Sequence, residues 1–166
     1  MREPLKDKTR LEHILMAADN VARYTDGKTF NDMQADDMMC YAVVYNIMSI
    51  GEAAYHLSKA FRKENPETEW DIIVKMRNVL AHDYYKLKIQ TVWEVVQSNI
   101  PPLREQITRY LSETDWDEWE KNDVVIKETA VHKSLIQTAL RMKNDGVDAK
   151  QISRYTGLPI DEIEAL

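Results

Sequence analysis

Glycine, proline and cysteine are scarce in this chain, whose 166 residues include four glycines, five prolines and one cysteine. Tight turns and phosphate-binding loops depend on glycine and proline, so an all-β sandwich and a glycine-looped nucleotide fold are excluded. Cys40 has no partner for an intramolecular disulfide, and its mildly apolar surroundings indicate a buried thiol in a reducing compartment. We therefore expect a cytoplasmic protein.

Long apolar runs are also missing from the sequence. No stretch approaches the roughly 20 apolar residues of a membrane span, and no signal-peptide core precedes residue 30. We expect no membrane partner. Acidic residues outnumber basic ones by 28 to 22, a net charge of −6. This excess argues against general coating of nucleic acid but allows a small local basic site.

The remaining composition is that of a folded, helical protein. Hydrophobic residues make up 44% and charged residues 30% of the chain, which is enough apolar surface for a packed core. Hydrophobic periodicity predicts four helices, with a kink at Pro101-Pro102 in the last of them. Their expected ranges are about 5–25, 31–62, 69–82 and 89–111. The sequence thus predicts an all-α fold.

Three segments are expected along the chain. The first is a helical domain over 1–111, the second an acidic linker over 112–132, and the third a small helical tail over 133–166. The linker is indicated by its charge, because the stretch between positions 111 and 130 contains seven acidic residues and only two lysines.

The tail has the spacing of a helix-turn-helix, with Gly157 in the turn. A DNA reader carries Arg, Lys, Asn or Gln on its second helix, whereas this helix carries Asp161, Glu162 and Glu164. Carboxylates repel phosphates, so we expect no DNA binding and instead a packing or protein-contact role.

The segment from Met76 to Tyr85 differs from the rest of the chain in charge and in chemistry. Residues 72–90 hold four basic side chains against one acid, a local balance of +3 in an acidic protein. Such a patch attracts anions, and Lys86 and Lys88 are candidates for steering a substrate to it.

Arg77 and His82 supply what cleavage of an RNA phosphodiester requires. An imidazole titrates near neutrality, so it can take a proton from a 2′-hydroxyl or give one to the leaving 5′-oxygen. A guanidinium stays charged and can fork onto two phosphate oxygens of the transition state. Positions five apart on a straight helix point about 140° apart. Either the helix ends before His82, or two copies of the segment meet at a two-fold axis.

The string Arg77-x4-His82-x-Tyr84 resembles the motif of HEPN ribonucleases, and in particular that of HepT-type toxins. The surrounding anchors agree in order and separation over roughly residues 8–111. They are Ile50-Gly51-Glu52-Ala53, Trp70, Met76-Arg77-Asn78, Val92-Trp93 and Ile100-Pro101-Pro102-Leu103.

This resemblance implies an antiparallel bundle of four to five helices that forms a homodimer, with the motifs of both protomers lining one cleft. It implies metal-independent endoribonuclease activity on RNA. It also implies a partner, a nucleotidyltransferase antitoxin of the MntA type that transfers AMP to the motif tyrosine. Tyr84 matches that position, with Tyr85 as a neighbouring alternative. An adenylate there would block the cleft and repel phosphate.

Three further residues are candidates for supporting roles. Glu52 has two possible roles: it orients Arg77 or His82 from across the bundle, or it is an ordinary charged residue of its helix. Asn78 is a second candidate for a supporting role. Asp83 either fixes the His82 tautomer or is a solvated loop acid, and we favour the loop.

The other histidines lack metal-ligand spacing, so we expect no metal site and no cofactor. The leading hypothesis is a ribonuclease toxin in which His82 moves protons, Arg77 holds phosphate and Tyr84 is the switch. The alternative is a catalytically silent HEPN module that binds a nucleotidyltransferase, a nucleotide or RNA.

Overall fold

The computed structural model describes the backbone of residues 6–82 and 88–166, and their side chains except those of 81–82 and 123–128. These residues form ten α-helices and no β-strand, which confirms the all-α prediction. The helices are α1 (Asp7–Thr25), α2 (Phe30–Ala35), α3 (Asp37–Tyr55), α4 (Lys59–Glu64), α5 (Trp70–His82), α6 (Ile89–Ser98), α7 (Ile100–Glu113), α8 (Trp116–Asn144), α9 (Ala149–Thr156) and α10 (Ile160–Ala165).

The chain divides into two compact units, Met1–Thr114 and Asp115–Leu166. In the first unit, α1 packs against α3 and α7, and α3 also packs against α5. The buried positions of α1 follow the predicted period, with Leu11, Ile14 and Val21 all fully buried. This packing holds α3 beside α5, where the candidate site lies.

The prediction of one helix over 31–62 is wrong, because this stretch forms α2, α3 and α4. Capping side chains begin each of the three. Thr29 and Asp32 form a capping box, Asp36 accepts a hydrogen bond from the Met39 amide, and Ser58 accepts one from Phe61. Each cap satisfies amides that would otherwise lack a partner, so three short helices replace a continuous one.

The expected kink at Pro101-Pro102 is also wrong, since the chain ends one helix and starts another. The helix α6 ends at Ser98, Asn99 intervenes with φ −107° and ψ −36°, and α7 begins at Ile100. Both prolines then fall in the first turn of α7, where a missing amide hydrogen disturbs no helical bond.

An aromatic cluster fixes the start of α5. The rings of Phe61, Trp70 and Tyr110 pack with centroids 5.7 to 6.3 Å apart. Trp70 donates its indole N–H to the Asn65 carbonyl at 2.9 Å, and the Thr68 hydroxyl lies 2.7 Å from the Tyr110 hydroxyl. The cluster therefore anchors α5 to α4 and α7.

The second unit has its own small core. Ala139, Ile152, Leu158 and Ile163 are buried together. The boundary between the units lies at Thr114/Asp115, and residues 116–132 of the expected linker belong to α8.

The helix-turn-helix expected in the tail is confirmed, and the end of the chain runs from α8 through one turn to α9 and through a second turn to α10. Gly146 and Gly157 form the two turns with φ +80° and +74°. Lys143 donates to the Ile163 carbonyl at 3.1 Å, and His132 lies 2.9 Å from Glu162, so polar contacts tie α10 to α8.

None of the helices in the described segments has the length and apolar character needed to cross a bilayer.

Candidate functional site

Arg77 lies where α5 makes its closest approach to α3. Gly51, on α3, is buried directly against it, and a Cβ atom built on Gly51 would overlap the Cβ of Arg77. The same Cβ would lie 3.0 Å from the Ile73 carbonyl oxygen. Only glycine permits this approach, so the contact sets the position of Arg77 relative to the next residue of α3.

That next residue, Glu52, holds the guanidinium. Arg77 Nη2 lies 2.6 Å from Glu52 Oε2, and Nη1 donates to Asn78 Oδ1 at 2.8 Å. A guanidinium carries five N–H donors. Two of them are engaged here, and the side chain is 32% exposed. Within the described residues, three donors are left to meet an anion from solvent.

Glu52 also binds a second residue, His56. The other carboxylate oxygen, Oε1, lies 3.0 Å from His56 Nε2, one turn further along α3. Burial acts to raise the pKa of Glu52, but hydrogen bonds and charge from Arg77 and His56 outweigh it. The pKa of Glu52 therefore lies below its ordinary value of 4.5, and the group is ionised at neutral pH.

The remaining residues predicted for the site fall in three places. Asn78 is exposed on α5 beside Arg77, and Lys88 is exposed at the N-cap of α6. His82 is the last residue of α5, described in its backbone only. The other four, Asp83, Tyr84, Tyr85 and Lys86, lie outside the described residues.

The backbone of α5 bears on the two arrangements left open for Arg77 and His82. The helix does not end before His82 but includes it. Positions 77 and 82 are consequently about 140° apart around a single helix.

Large apolar side chains are also exposed on both helices, and we call them the exposed apolar set. On α3, Tyr41 and Tyr45 are 69% and 70% exposed, and both lie on the same side as Glu52 because the spacings are near whole turns. The complete set is Met38, Tyr41, Tyr45 and Tyr55 on α3 with Ile72 and Val79 on α5. Large apolar groups so exposed typically mark an interaction surface.

Among the side chains that the structure describes, no three His, Cys, Asp or Glu residues are grouped closely enough to hold a metal ion.

The protein-family model described as "Ribonuclease HepT-like" matches residues 14–110, more than half of the chain. The chain belongs to this family. The matched range includes Glu52, Arg77 and His82 and lies entirely within the first unit.

Several curated proteins resemble the chain. A protein of Methanocaldococcus jannaschii named "Gamma-glutamylcyclotransferase and putative RNase" is 32% identical over 117 residues, 70% of this chain and 53% of its own length. The chain thus spans about half of that protein. A "Putative RNase" of Caldanaerobacter subterraneus is 33% identical over 101 residues, 61% of this chain and 90% of its own. A "Probable ribonuclease HepT" of Thermococcus cleftensis is 30% identical over 97 residues, which are 58% of this chain and 88% of that protein.

No solved structure is significantly similar to the chain.

His56 is the residue of the site that sequence reasoning missed. Like His13 and His132, it was set aside for lack of metal-ligand spacing. The signal that could have found it is the four-residue spacing from Glu52, which places the two side chains together on one helix face.

Proposed function

We propose that this chain is a ribonuclease toxin of the HepT type that cleaves RNA phosphodiesters without a metal ion. The observation that carries the proposal is the partly exposed guanidinium of Arg77, which Glu52 and Asn78 anchor while, among the described residues, three of its five donors are left for phosphate. Membership of the family and the RNase names of its relatives support the same reaction. The substrate class is RNA, and the site of action is the cytoplasm.

The reaction uses the 2′-hydroxyl of the RNA as nucleophile. A base removes its proton, the 2′-oxygen attacks phosphorus, and the 5′-oxygen leaves with a proton supplied by an acid. The products are a 2′,3′-cyclic phosphate and a 5′-hydroxyl. His82 serves in proton transfer, and Arg77 stabilises the added negative charge on the phosphoryl oxygens. Lys86 and Lys88 steer the polyanion toward the site.

The active unit is a homodimer in which the exposed apolar set of each protomer contacts the other. Two arguments support this assembly. One helix separates positions 77 and 82 by about 140°, so a second copy is needed to complete the pair. On α3, Tyr41 and Tyr45 of the exposed apolar set lie on the same side as Glu52, so an interface there is continuous with the site.

Regulation is proposed to act through Tyr84. A cognate MntA-like nucleotidyltransferase transfers AMP from ATP to the Tyr84 hydroxyl, two positions after His82, and pyrophosphate leaves. The added phosphate is anionic and the adenosine is bulky, so the modified site repels and excludes RNA.

RNA cleavage tests the proposal directly. Purified protein is incubated with total RNA in excess EDTA, and the ends of the products are analysed. We expect 2′,3′-cyclic phosphate ends from wild type and from the control His13→Ala, with losses of at least about 100-fold in Arg77→Ala and His82→Ala. Intact RNA with wild type, in the presence of tight binding to the nucleotidyltransferase, would assign the chain to the silent binding modules instead.

Mass spectrometry tests the switch. After incubation with the nucleotidyltransferase and ATP, wild type and Tyr85→Phe should gain the mass of AMP, whereas Tyr84→Phe should not. Modification of Tyr84→Phe but not of Tyr85→Phe would move the switch to Tyr85.

A further inference from the structure

The charges of Glu52 and Arg77 cancel, but a third ionisable group shares the same carboxylate. Arg77 Nη2 lies 2.6 Å from Glu52 Oε2, and His56 Nε2 lies 3.0 Å from Oε1. Glu52 is ionised at neutral pH, because its pKa lies below its ordinary value of 4.5. With a neutral imidazole the three groups carry no net charge, and with a protonated one they carry a charge of +1. Protonation of His56 therefore decides whether the cluster as a whole attracts an anion.

The ring of His56 has one edge open to a ligand. A carboxylate only accepts hydrogen bonds, so Nε2 donates to Glu52 in either protonation state of the ring. No described residue bonds to Nδ1, and the side chain is 43% exposed. Within the described residues, the groups set against the ring are Glu52, Arg77 through that carboxylate, and Tyr55, whose ring packs edge-on at 5.1 Å. A protonated His56 thus offers one N–H donor to solvent, at Nδ1.

The two cations of this cluster suit two different phosphates. The nitrogens of an imidazole lie on different edges of the ring, so Nδ1 of His56 points away from the carboxylate that Nε2 contacts. Arg77 binds that carboxylate through its other oxygen. One phosphate placed between the cations would also meet the negative charge of Glu52, whereas successive phosphates of one strand would each meet one cation. The arrangement therefore fits the backbone of a single-stranded RNA.

We propose that protonated His56 binds the RNA phosphate next to the one held by Arg77, an inference that rests on the proposed ribonuclease function. Its Nδ1–H donates to a non-bridging oxygen of that phosphate, while Glu52 holds the ring through Nε2. No covalent bond changes at this subsite. It adds one charge-assisted contact to the substrate for as long as the imidazole keeps its second proton.

Binding of an uncleavable RNA tests the subsite. The probe is a short single-stranded RNA whose 2′-hydroxyls are methylated, and its Kd is measured at constant ionic strength from pH 5 to pH 8. Wild type should bind about tenfold more tightly than His56→Gln at pH 5 and equally at pH 8. Glutamine keeps a donor for Glu52 but carries no charge. His82 is present in both proteins, so the difference between the two curves isolates position 56.

The matched control is His132→Gln. His132 makes an equivalent contact, 2.9 Å from Glu162, and is 52% exposed, but it belongs to the second unit. This variant should follow wild type at every pH. A loss of RNA affinity in His132→Gln equal to that in His56→Gln would reduce the effect to the general charge of the protein and overturn the subsite.

The salt dependence of binding counts the contact. At pH 5 the slope of log Kd against log salt should be smaller by about 0.7 in His56→Gln than in wild type, because one phosphate contact releases that share of counterions from a single strand. At pH 8 the two slopes should agree. Equal slopes at pH 5 would show that His56 meets no phosphate.

Steady-state cleavage separates binding from chemistry. With a cleavable RNA oligonucleotide at pH 5, His56→Gln should raise KM and leave kcat within about twofold of wild type. A fall in kcat at unchanged KM would mean that His56 acts only in the transition state, and the binding role would be wrong.

The failure of this inference is distinguishable from the failure of the proposed function. Wild type that cuts RNA in EDTA, with His56→Gln equal to it in Kd at pH 5, would overturn the subsite alone. RNA that binds with the expected difference but stays intact would overturn the ribonuclease and leave the subsite. Absence of RNA binding by wild type would overturn both.

Discussion

Gly51 on α3 leaves no space for a side chain between itself and Arg77 on α5. An added Cβ would overlap the Cβ of Arg77 and lie 3.1 Å from its Cγ. The position of Arg77 relative to α3 is therefore set by backbone packing between two helices.

Gly51→Ala should destabilise the protein despite the better helix propensity of alanine. Propensity alone would favour alanine by roughly 0.5–1 kcal/mol, but forcing α3 and α5 apart costs about 1–3 kcal/mol. We expect a lower urea midpoint and weaker RNA cleavage. Ser49→Ala is the control, since its hydroxyl donates to the Tyr45 carbonyl of the same helix. A Gly51→Ala protein as stable as wild type would contradict this packing argument.

Glu52→Gln should change the dependence of stability on pH. The folded pKa of Glu52 lies below its ordinary value of 4.5, so ionised Glu52 stabilises the fold above that pH. The contribution is lost as the pH falls through the folded pKa. Glu52 is 46% exposed, which limits the contribution to about 0.2–1 kcal/mol.

Urea unfolding between pH 3 and pH 7 measures this effect. The difference in free energy of unfolding between wild type and Glu52→Gln should shrink as the pH falls below 4.5. Glu105→Gln, an exposed change on α7 away from Arg77 and His56, is the control. A difference that grows toward low pH would have the wrong sign for a carboxylate stabilised by cations.

Tyr45→Glu should convert the proposed homodimer to monomers. A charge buried at an apolar interface loses its hydration without gaining a partner, so we expect dimer dissociation to increase by tenfold or more, about 1.4 kcal/mol. Sedimentation velocity measures the change, and RNA cleavage should fall with the dimer population. Tyr155→Glu, at a position 76% exposed on α9, should leave the assembly intact. A dimeric Tyr45→Glu protein would place the interface elsewhere.

Gly157→Ala should loosen the second unit through backbone strain alone. Gly157 has φ +74°, and none of the described atoms lies within 4 Å of where its Cβ would be. An alanine in this left-handed conformation costs about 1–2 kcal/mol. Hydrogen exchange should accelerate in α9 and α10 and stay unchanged in α1, while Gly157→Asn should have a smaller effect because asparagine tolerates this conformation.

Local signals in the sequence located most helices but not every break. Apolar periodicity placed α1 and α5 within about two residues, because a helix packed on one face repeats that face in its sequence. The same periodicity did not reveal the helix breaks before Asp37 and after Tyr55, because apolar side chains keep their period from α2 to α4. Those breaks come from the caps of Asp36 and Ser58, each a single polar side chain within an apolar pattern.

The sequence by itself determined the helical class, the order of the elements in the tail and the Arg77–His82 motif, because composition, period and spacing are properties of neighbouring residues. Only the tertiary structure decided that Glu52 binds both Arg77 and His56. Glu52 and Arg77 are far apart in the chain, and they meet because burial of apolar faces brings α3 and α5 together where Gly51 permits close contact. No local pattern records which two helix faces will be buried against each other.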